Sequence, residues 1–60
     1  MLESFASIAL HEWSVELFVT GDTVHVNVWS RGKAIGSAFG HVSAFRTVLE
    51  RAVKEAEKSS

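Results

Sequence analysis

Two stretches of the chain alternate between apolar and polar positions. From Ser14 to Thr20, Val15, Leu17 and Val19 occupy every second position, and from Thr23 to Ser30 the same holds for Val24, Val26 and Val28. This is the period of half-buried β-strands, and the apolar positions are rich in β-branched residues. Gly21-Asp22 lies between the two stretches and suits a two-residue type II′ hairpin turn, which has glycine first.

Pairing Thr20 with Thr23 tests this hairpin, because it places Val19 opposite Val24, Leu17 opposite Val26 and Val15 opposite Val28. A slip of one residue would break all of these apolar pairs. A second two-residue turn at Arg31-Gly32 pairs Ser30 with Lys33 and predicts three further pairs: Val28 with Ile35, Val26 with Ser37 and Val24 with Phe39. The pattern therefore predicts a three-stranded antiparallel meander over residues 14–40.

After Gly40 the apolar spacing changes to three and four residues, which is typical of an amphipathic helix. The apolar positions are Val42, Phe45, Val48, Leu49, Ala52, Val53 and Ala56. Ser43 is a suitable N-cap, so we predict a helix within residues 43–58 that packs on one sheet face. The predicted contact between sheet and helix consists of Leu17, Val26, Ile35, Phe39, Phe45 and Leu49. Truncation of Phe45 to alanine should then cost about 3–5 kcal/mol.

Residues 1–13 fit two patterns. Leu2, Phe5, Ala6, Ala9 and Trp13 have helical spacing, whereas Ala6, Ile8 and Leu10 alternate as in a strand. We favour a short N-terminal helix. The predicted fold is a single domain over residues 1–60 of the α+β class, with the sheet and the C-terminal helix in two layers.

Length and composition favour self-association. A 60-residue domain buries only about 60 % of its unfolded surface, and such chains usually depend on disulfides, a metal or a second copy. The absence of cysteine excludes disulfides and cysteine-based chemistry. The apolar runs are too short to span a membrane, and no secretory signal is visible. We therefore expect a cytoplasmic homodimer that does not contact membranes.

Charge is unevenly distributed along the chain. Residues 1–30 contain four acidic and no lysine or arginine residues, whereas residues 31–60 contain six basic and three acidic residues, a balance of +3. Such asymmetry can indicate a nucleic-acid-binding segment. Here the basic residues alternate with acidic ones along the predicted helix, so a solvated helix face is the favoured interpretation.

The outward sheet face is the candidate interaction surface. In the predicted register it carries Phe18, His25 and Trp29, and the third strand adds a strip of small residues that includes Ala34, Gly36 and Ala38. One interpretation is that Trp29 simply covers Gly36 within the sheet. The other is that a second surface approaches the strip closely, where only small residues permit it. In a chain this short, the expected binding partner is the same face of a second copy.

No catalytic, cofactor or metal site is predicted. The histidines at positions 11, 25 and 41 match no metal-ligand spacing. There is no nucleophile-elbow motif, and Asp22, the only aspartate, belongs to a turn. Gly32-Lys33-Ala34-Ile35-Gly36 lacks the lysine position of a phosphate loop. We expect a protein-interaction module of inhibitor or adaptor type rather than an enzyme.

Single-stranded nucleic-acid binding is the alternative function, with Phe18 and Trp29 stacking on bases and Arg31 and Lys33 contacting phosphates. The layout from Ser14 onward, with Val26-Asn27-Val28-Trp29, Gly32-Lys33 and a closing helix, resembles the PC4-type single-stranded DNA-binding coactivators. That resemblance implies a dimer that binds DNA across its sheets. The chain departs from that family by lacking the longer connection before Gly32-Lys33 and most of the basic strand residues.

A second resemblance concerns the third strand. The segment from Arg31 to Ser37, followed by Gly40 and Ser43, is similar to the small tandem-repeat YegP-like family, in which a strand also ends before a helix. This resemblance implies a fold but no function.

Overall fold

The computed structural model describes the backbone of residues 2–59 and the side chains of residues 6–59. The elements in chain order are α1 (Leu2–His11), β1 (Ser14–Thr20), β2 (Thr23–Ser30), β3 (Lys33–His41), a 3-10 turn (Val42–Ala44) and α2 (Phe45–Ser59). The three strands form one antiparallel sheet in the order β1-β2-β3. The predicted α+β fold, including its short N-terminal helix, is confirmed; Met1 and Ser60 of the predicted domain lie outside the described residues.

The β1–β2 hairpin has the predicted register. Val15 pairs with Val28, Leu17 with Val26 and Val19 with Val24. Gly21 has a φ of +61°, as the first position of a type II′ turn requires. The three valines of β2 are each at most 1 % exposed. Hydrophobic alternation was sufficient to align these two strands.

The β2–β3 register differs from the prediction by one residue. Ser30 pairs with Lys33 and Trp29 with Ala34, as a two-residue turn requires, but a β-bulge follows between Val28 and Trp29. Beyond the bulge Val28 pairs with Gly36, Val26 with Ala38 and Val24 with Gly40. Because one extra residue exchanges the two faces of a strand, the predicted pairs of these valines with Ile35, Ser37 and Phe39 are wrong.

The bulge brings the smallest residues of β3 under α2. A Cβ atom at Gly36 would overlap the Ala52 carbonyl oxygen and would lie 2.7 Å from the Ala56 backbone nitrogen. A Cβ atom at Gly40 would lie 2.8 Å from Cγ2 of Val48. The helix therefore runs antiparallel to β3 and packs almost directly on its backbone. The predicted register would have placed Ile35, Ser37 and Phe39 in this space.

The start of α2 also differs from the prediction. Ser43 is not the N-cap: a 3-10 turn precedes α2, and its cap is His41, whose Nδ1 accepts a hydrogen bond of 3.1 Å from the Ser43 backbone N–H. The turn is held to the first hairpin because the Val42 N–H donates to the Asp22 carbonyl oxygen at 2.7 Å. The helix begins at Phe45 and ends at Ser59, close to the predicted limits.

The end of α1 places Trp13 in the core. Glu12 has a φ of +57°, and the Trp13 N–H donates to the Ile8 carbonyl oxygen at 3.1 Å. This left-handed residue followed by a bond to the carbonyl five residues earlier is the Schellman ending of a helix. Trp13 is only 7 % exposed, and Ile8 packs against the same core. Of the predicted helical stripe, the side chains of Leu2 and Phe5 lie outside the described residues.

The core differs in membership from the predicted one because α2 covers only part of the sheet. Its contacts are most extensive with β3, fewer with β2 and minimal with β1. Within residues 6–59 the buried apolar residues are Trp13, Val24, Val26, Val28, Val48, Leu49, Ala52, Val53 and Ala56. Val26 and Leu49 are thus confirmed as core, and Ile35 packs against it. Leu17, Phe39 and Phe45 are 45 %, 69 % and 44 % exposed, so their placement in the core is wrong.

The comparison of two helix residues tests this core. Leu49 is 5 % exposed, so Leu49→Ala should lower the free energy of unfolding by about 2–5 kcal/mol. Phe45 lies one turn earlier and is nearly half exposed, so Phe45→Ala should cost clearly less, contrary to the expectation from sequence. Urea denaturation of both variants measures the difference. A larger loss in Phe45→Ala than in Leu49→Ala would contradict the observed packing of α2.

Candidate interaction surface

A row of three aromatic rings crosses the outer face of the sheet, which is the face turned away from α2. Phe18 stacks on His25 with ring centroids 4.7 Å apart and an interplanar angle of 7°. Phe39, the neighbour of His25 on β3, also contacts the His25 ring, with a centroid distance of 6.0 Å. The three residues are direct cross-strand partners. We call Phe18, His25 and Phe39 the aromatic row.

A hydrogen-bonded group centred on Glu16 lies beside the aromatic row. The Glu16 carboxylate accepts a hydrogen bond of 3.1 Å from Asn27 Nδ2 and one of 3.4 Å from Trp29 Nε1. Asn27 is the direct partner of Glu16 on β2, and both donors lie on that strand. The carboxylate is therefore drawn toward β2 and away from the free edge of β1.

The predicted partner face is brought together only in part. Phe18, His25 and Trp29 lie on the outer face, and Ala34 joins them as the exposed partner of Trp29. Gly36 and Ala38 do not: their pairing with inward-facing valines turns them toward α2. The prediction of an outward strip of small residues is therefore wrong, and so is the interpretation that Trp29 covers Gly36. The β-bulge is the reason for both errors.

The residues predicted to contact nucleic acid are not gathered into a positive surface. Arg31 and Lys33 lie at the β2–β3 turn, beside Trp29 and at a distance from Phe18. Since His25 and Trp29 are four residues apart on one strand, their Cα atoms are separated by roughly 13 Å. The Glu16 carboxylate occupies the interval between them. The His25 ring is in contact with both Phe18 and Phe39 and not with Trp29.

The inner face of β1 is an apolar surface that the sequence did not reveal. Val15, Leu17 and Val19, which we call the β1 strip, are 37 %, 45 % and 52 % exposed. Each is the cross-strand partner of a β2 valine that is at most 1 % exposed. The strip is therefore the uncovered margin of the core itself, and not a set of isolated surface side chains.

One physical signal could have identified the β1 strip beforehand. A helix with its side chains is about 10 Å wide, whereas three strands at about 4.8 Å spacing present a wider surface. One helix over β3 thus leaves the far strand bare, and the alternate small residues of β3 could have indicated that the helix lies there.

Other kinds of site are not found among the described residues. The part of the chain with described side chains, residues 6–59, forms no ligand-sized cavity, and its acidic and histidine side chains form no group of three that could hold a metal ion. Neither helix within residues 2–59 has the length and apolar character needed to traverse a lipid bilayer.

Comparisons with known proteins give no family assignment. Protein-family models, curated proteins and solved structures all yield no match to this chain. The resemblances to the PC4-type coactivators and to the YegP-like family therefore stay expectations.

The two glycines of β3 that face α2 provide a matched test of the close helix approach. Gly36→Ala should destabilise the domain by about 1–3 kcal/mol, because the added methyl group meets helix backbone, which cannot move aside alone. Gly40→Ala meets only the end of the Val48 side chain, and the lower entropy of its unfolded chain offsets part of the cost by roughly 0.4–1 kcal/mol. Thermal unfolding of both variants gives the comparison. Equal stability of Gly36→Ala and the wild type would show that Gly36 does not face the helix.

Proposed function

We propose that this domain is a non-catalytic protein-interaction module that works as a homodimer. The observation that carries the proposal is the β1 strip, an apolar surface continuous with the core and left bare by α2. The proposal places the domain in the cytoplasm, in keeping with a core built without disulfides.

The small size of the domain limits the stability of the monomer. A domain of this length is expected to have a free energy of unfolding of only about 3–9 kcal/mol. Removal of apolar surface from water contributes roughly 25 cal/mol per Å², so any part of the β1 strip that a second copy removes from water adds to that total. A second copy supplies an identical strip at no cost in additional sequence.

The character of the exposed surface favours a protein over a nucleic acid. The side chains of β1 include one carboxylate, that of Glu16, and no cation, whereas binding to phosphates requires a concentrated positive surface. The outer face remains open in this proposal and is available to a further protein partner of the inhibitor or adaptor type.

Sedimentation equilibrium from about 1 to about 100 µM tests the proposal directly, since dimer formation follows mass action. We expect a mass that rises toward two chains and a melting temperature that increases with concentration. Raising the salt concentration should leave the dimer intact, because apolar contacts are not screened.

Two matched lysine substitutions test which surface is responsible. Leu17→Lys and Phe39→Lys each replace an exposed apolar strand residue, the first in the β1 strip and the second in the aromatic row. Leu17→Lys should give a folded monomer, and Phe39→Lys should still form the dimer. Loss of the dimer in Phe39→Lys alone would move the interface to the outer face and contradict the role of the β1 strip.

A wild-type monomer at the highest concentration would overturn the proposal. If that monomer bound a labelled single strand, with an affinity that falls steeply with salt and with a flatter salt slope after removal of Arg31 and Lys33, nucleic-acid binding would take its place.

A further inference from the structure

We infer that the dimer forms by antiparallel pairing of β1 with β1 of the second copy, about a two-fold axis that passes through Leu17. The inference rests on the proposed function and adds the geometry of the contact. It produces one continuous six-stranded sheet in the order β3-β2-β1-β1-β2-β3.

The two edges of the sheet differ in how far they are protected against pairing. Proteins block edge strands with lysine, proline, bulges or covering elements. β3 begins with Lys33, contains the bulge and lies beneath α2. Among the residues that the structure describes, β1 has none of these features: its pairing with β2 is regular over all seven residues, and it carries no basic residue or proline. The unprotected edge is thus the same strand that carries the bare apolar strip.

The sequence of β1 is complementary to itself when read in the opposite direction. With Leu17 opposite Leu17 of the second copy, Val15 faces Val19 and Ser14 faces Thr20, so that side chains of like size and polarity meet on each side of the axis. All three residues of the β1 strip then pair with residues of the other strip, on the same sheet face. Cross-strand pairs of this kind are the stabilising unit of a sheet. A partner strand of unrelated sequence would not in general offer apolar residues at the matching positions.

Other symmetric registers match less well. An axis through Glu16 places two carboxylates directly opposite each other, which is destabilising. An axis between two residues pairs the inner face of one strand with the outer face of the other. An axis through Phe18 leaves Val15 without a strand partner. In the Leu17 register Glu16 faces Phe18 of the second copy. The Glu16 carboxylate does not block this pairing, because Asn27 and Trp29 hold it toward β2.

The two-fold axis runs perpendicular to the sheet, so both α2 helices lie on the same face of the six-stranded sheet. The two β1 strips then form the centre of the inner face, between the helices, instead of the rim of a monomer. The backbone N–H and C=O groups on the free edge of β1 also gain partners. The same contact therefore satisfies the open edge and reduces the exposure of the strip.

Single-cysteine cross-linking tests this register, because the chain has no cysteine of its own. Directly opposed strand residues have Cα atoms about 4.5–5.5 Å apart, within the range of a disulfide. Leu17→Cys should therefore form a covalent dimer under mild oxidation with oxidised glutathione. Phe18→Cys is the matched control: it is adjacent and equally exposed at 45 %, but its two copies are diagonal neighbours. We expect cross-linking of Leu17→Cys to be on the order of tenfold faster.

A mixing experiment supplies a second measurement. Val15→Cys and Val19→Cys should each cross-link poorly alone and readily when mixed, because each residue faces the other across the axis. Arg51→Cys, on the exposed side of α2, measures random collision. Faster cross-linking of Phe18→Cys than of Leu17→Cys would overturn the register. A wild-type dimer in which no β1 cysteine exceeds the Arg51→Cys rate would overturn edge pairing and leave the proposed self-association intact, whereas a wild-type monomer would overturn both.

Discussion

The close contact between α2 and the backbone of β3 at Gly36 determines most of the structure. Because Gly36 has no Cβ, the Ala52 and Ala56 turns of the helix rest on the strand itself. The β-bulge at Val28/Trp29 is needed to turn Gly36 inward, and the same shift sends Phe39 to the outer face. A helix held this near one edge cannot also cover the strand at the other edge.

The cost of this arrangement falls on β1. Its inner side chains continue the row of buried valines on β2, yet they stay about half exposed. A small domain gains more from a dense contact over two strands than from a loose one over three, because dispersion and burial both depend on close packing. The uncovered strand is then available to a second copy, and the absence of edge protection on β1 is consistent with that use.

Much of the fold could be predicted from alternation and spacing alone. Val15, Leu17 and Val19 align with their β2 partners because one face of that hairpin is apolar throughout, and α2 follows from a five-residue buried stripe. The β3 register could not be predicted in this way. A bulge changes the strand's faces without changing its composition, and Gly36, Ala38 and Gly40 fit an outward strip as well as an inward surface on which a helix packs. The same register error affects the candidate site, because Phe18, His25, Trp29 and Ala34 share the outer face as predicted but Gly36 and Ala38 do not. The exposure of Leu17, which is predicted as core, has a different cause, the limited width of α2.

Hydrogen exchange along β1 in the wild-type protein is the most direct test of the account. In an antiparallel strand, successive amides point alternately toward β2 and toward the free edge. Pairing of β1 with a second copy predicts protection of every β1 amide between Ser14 and Thr20 at concentrations where the dimer forms. Protection of alternate amides only, with the others exchanging as freely as an exposed turn, would contradict a covered edge.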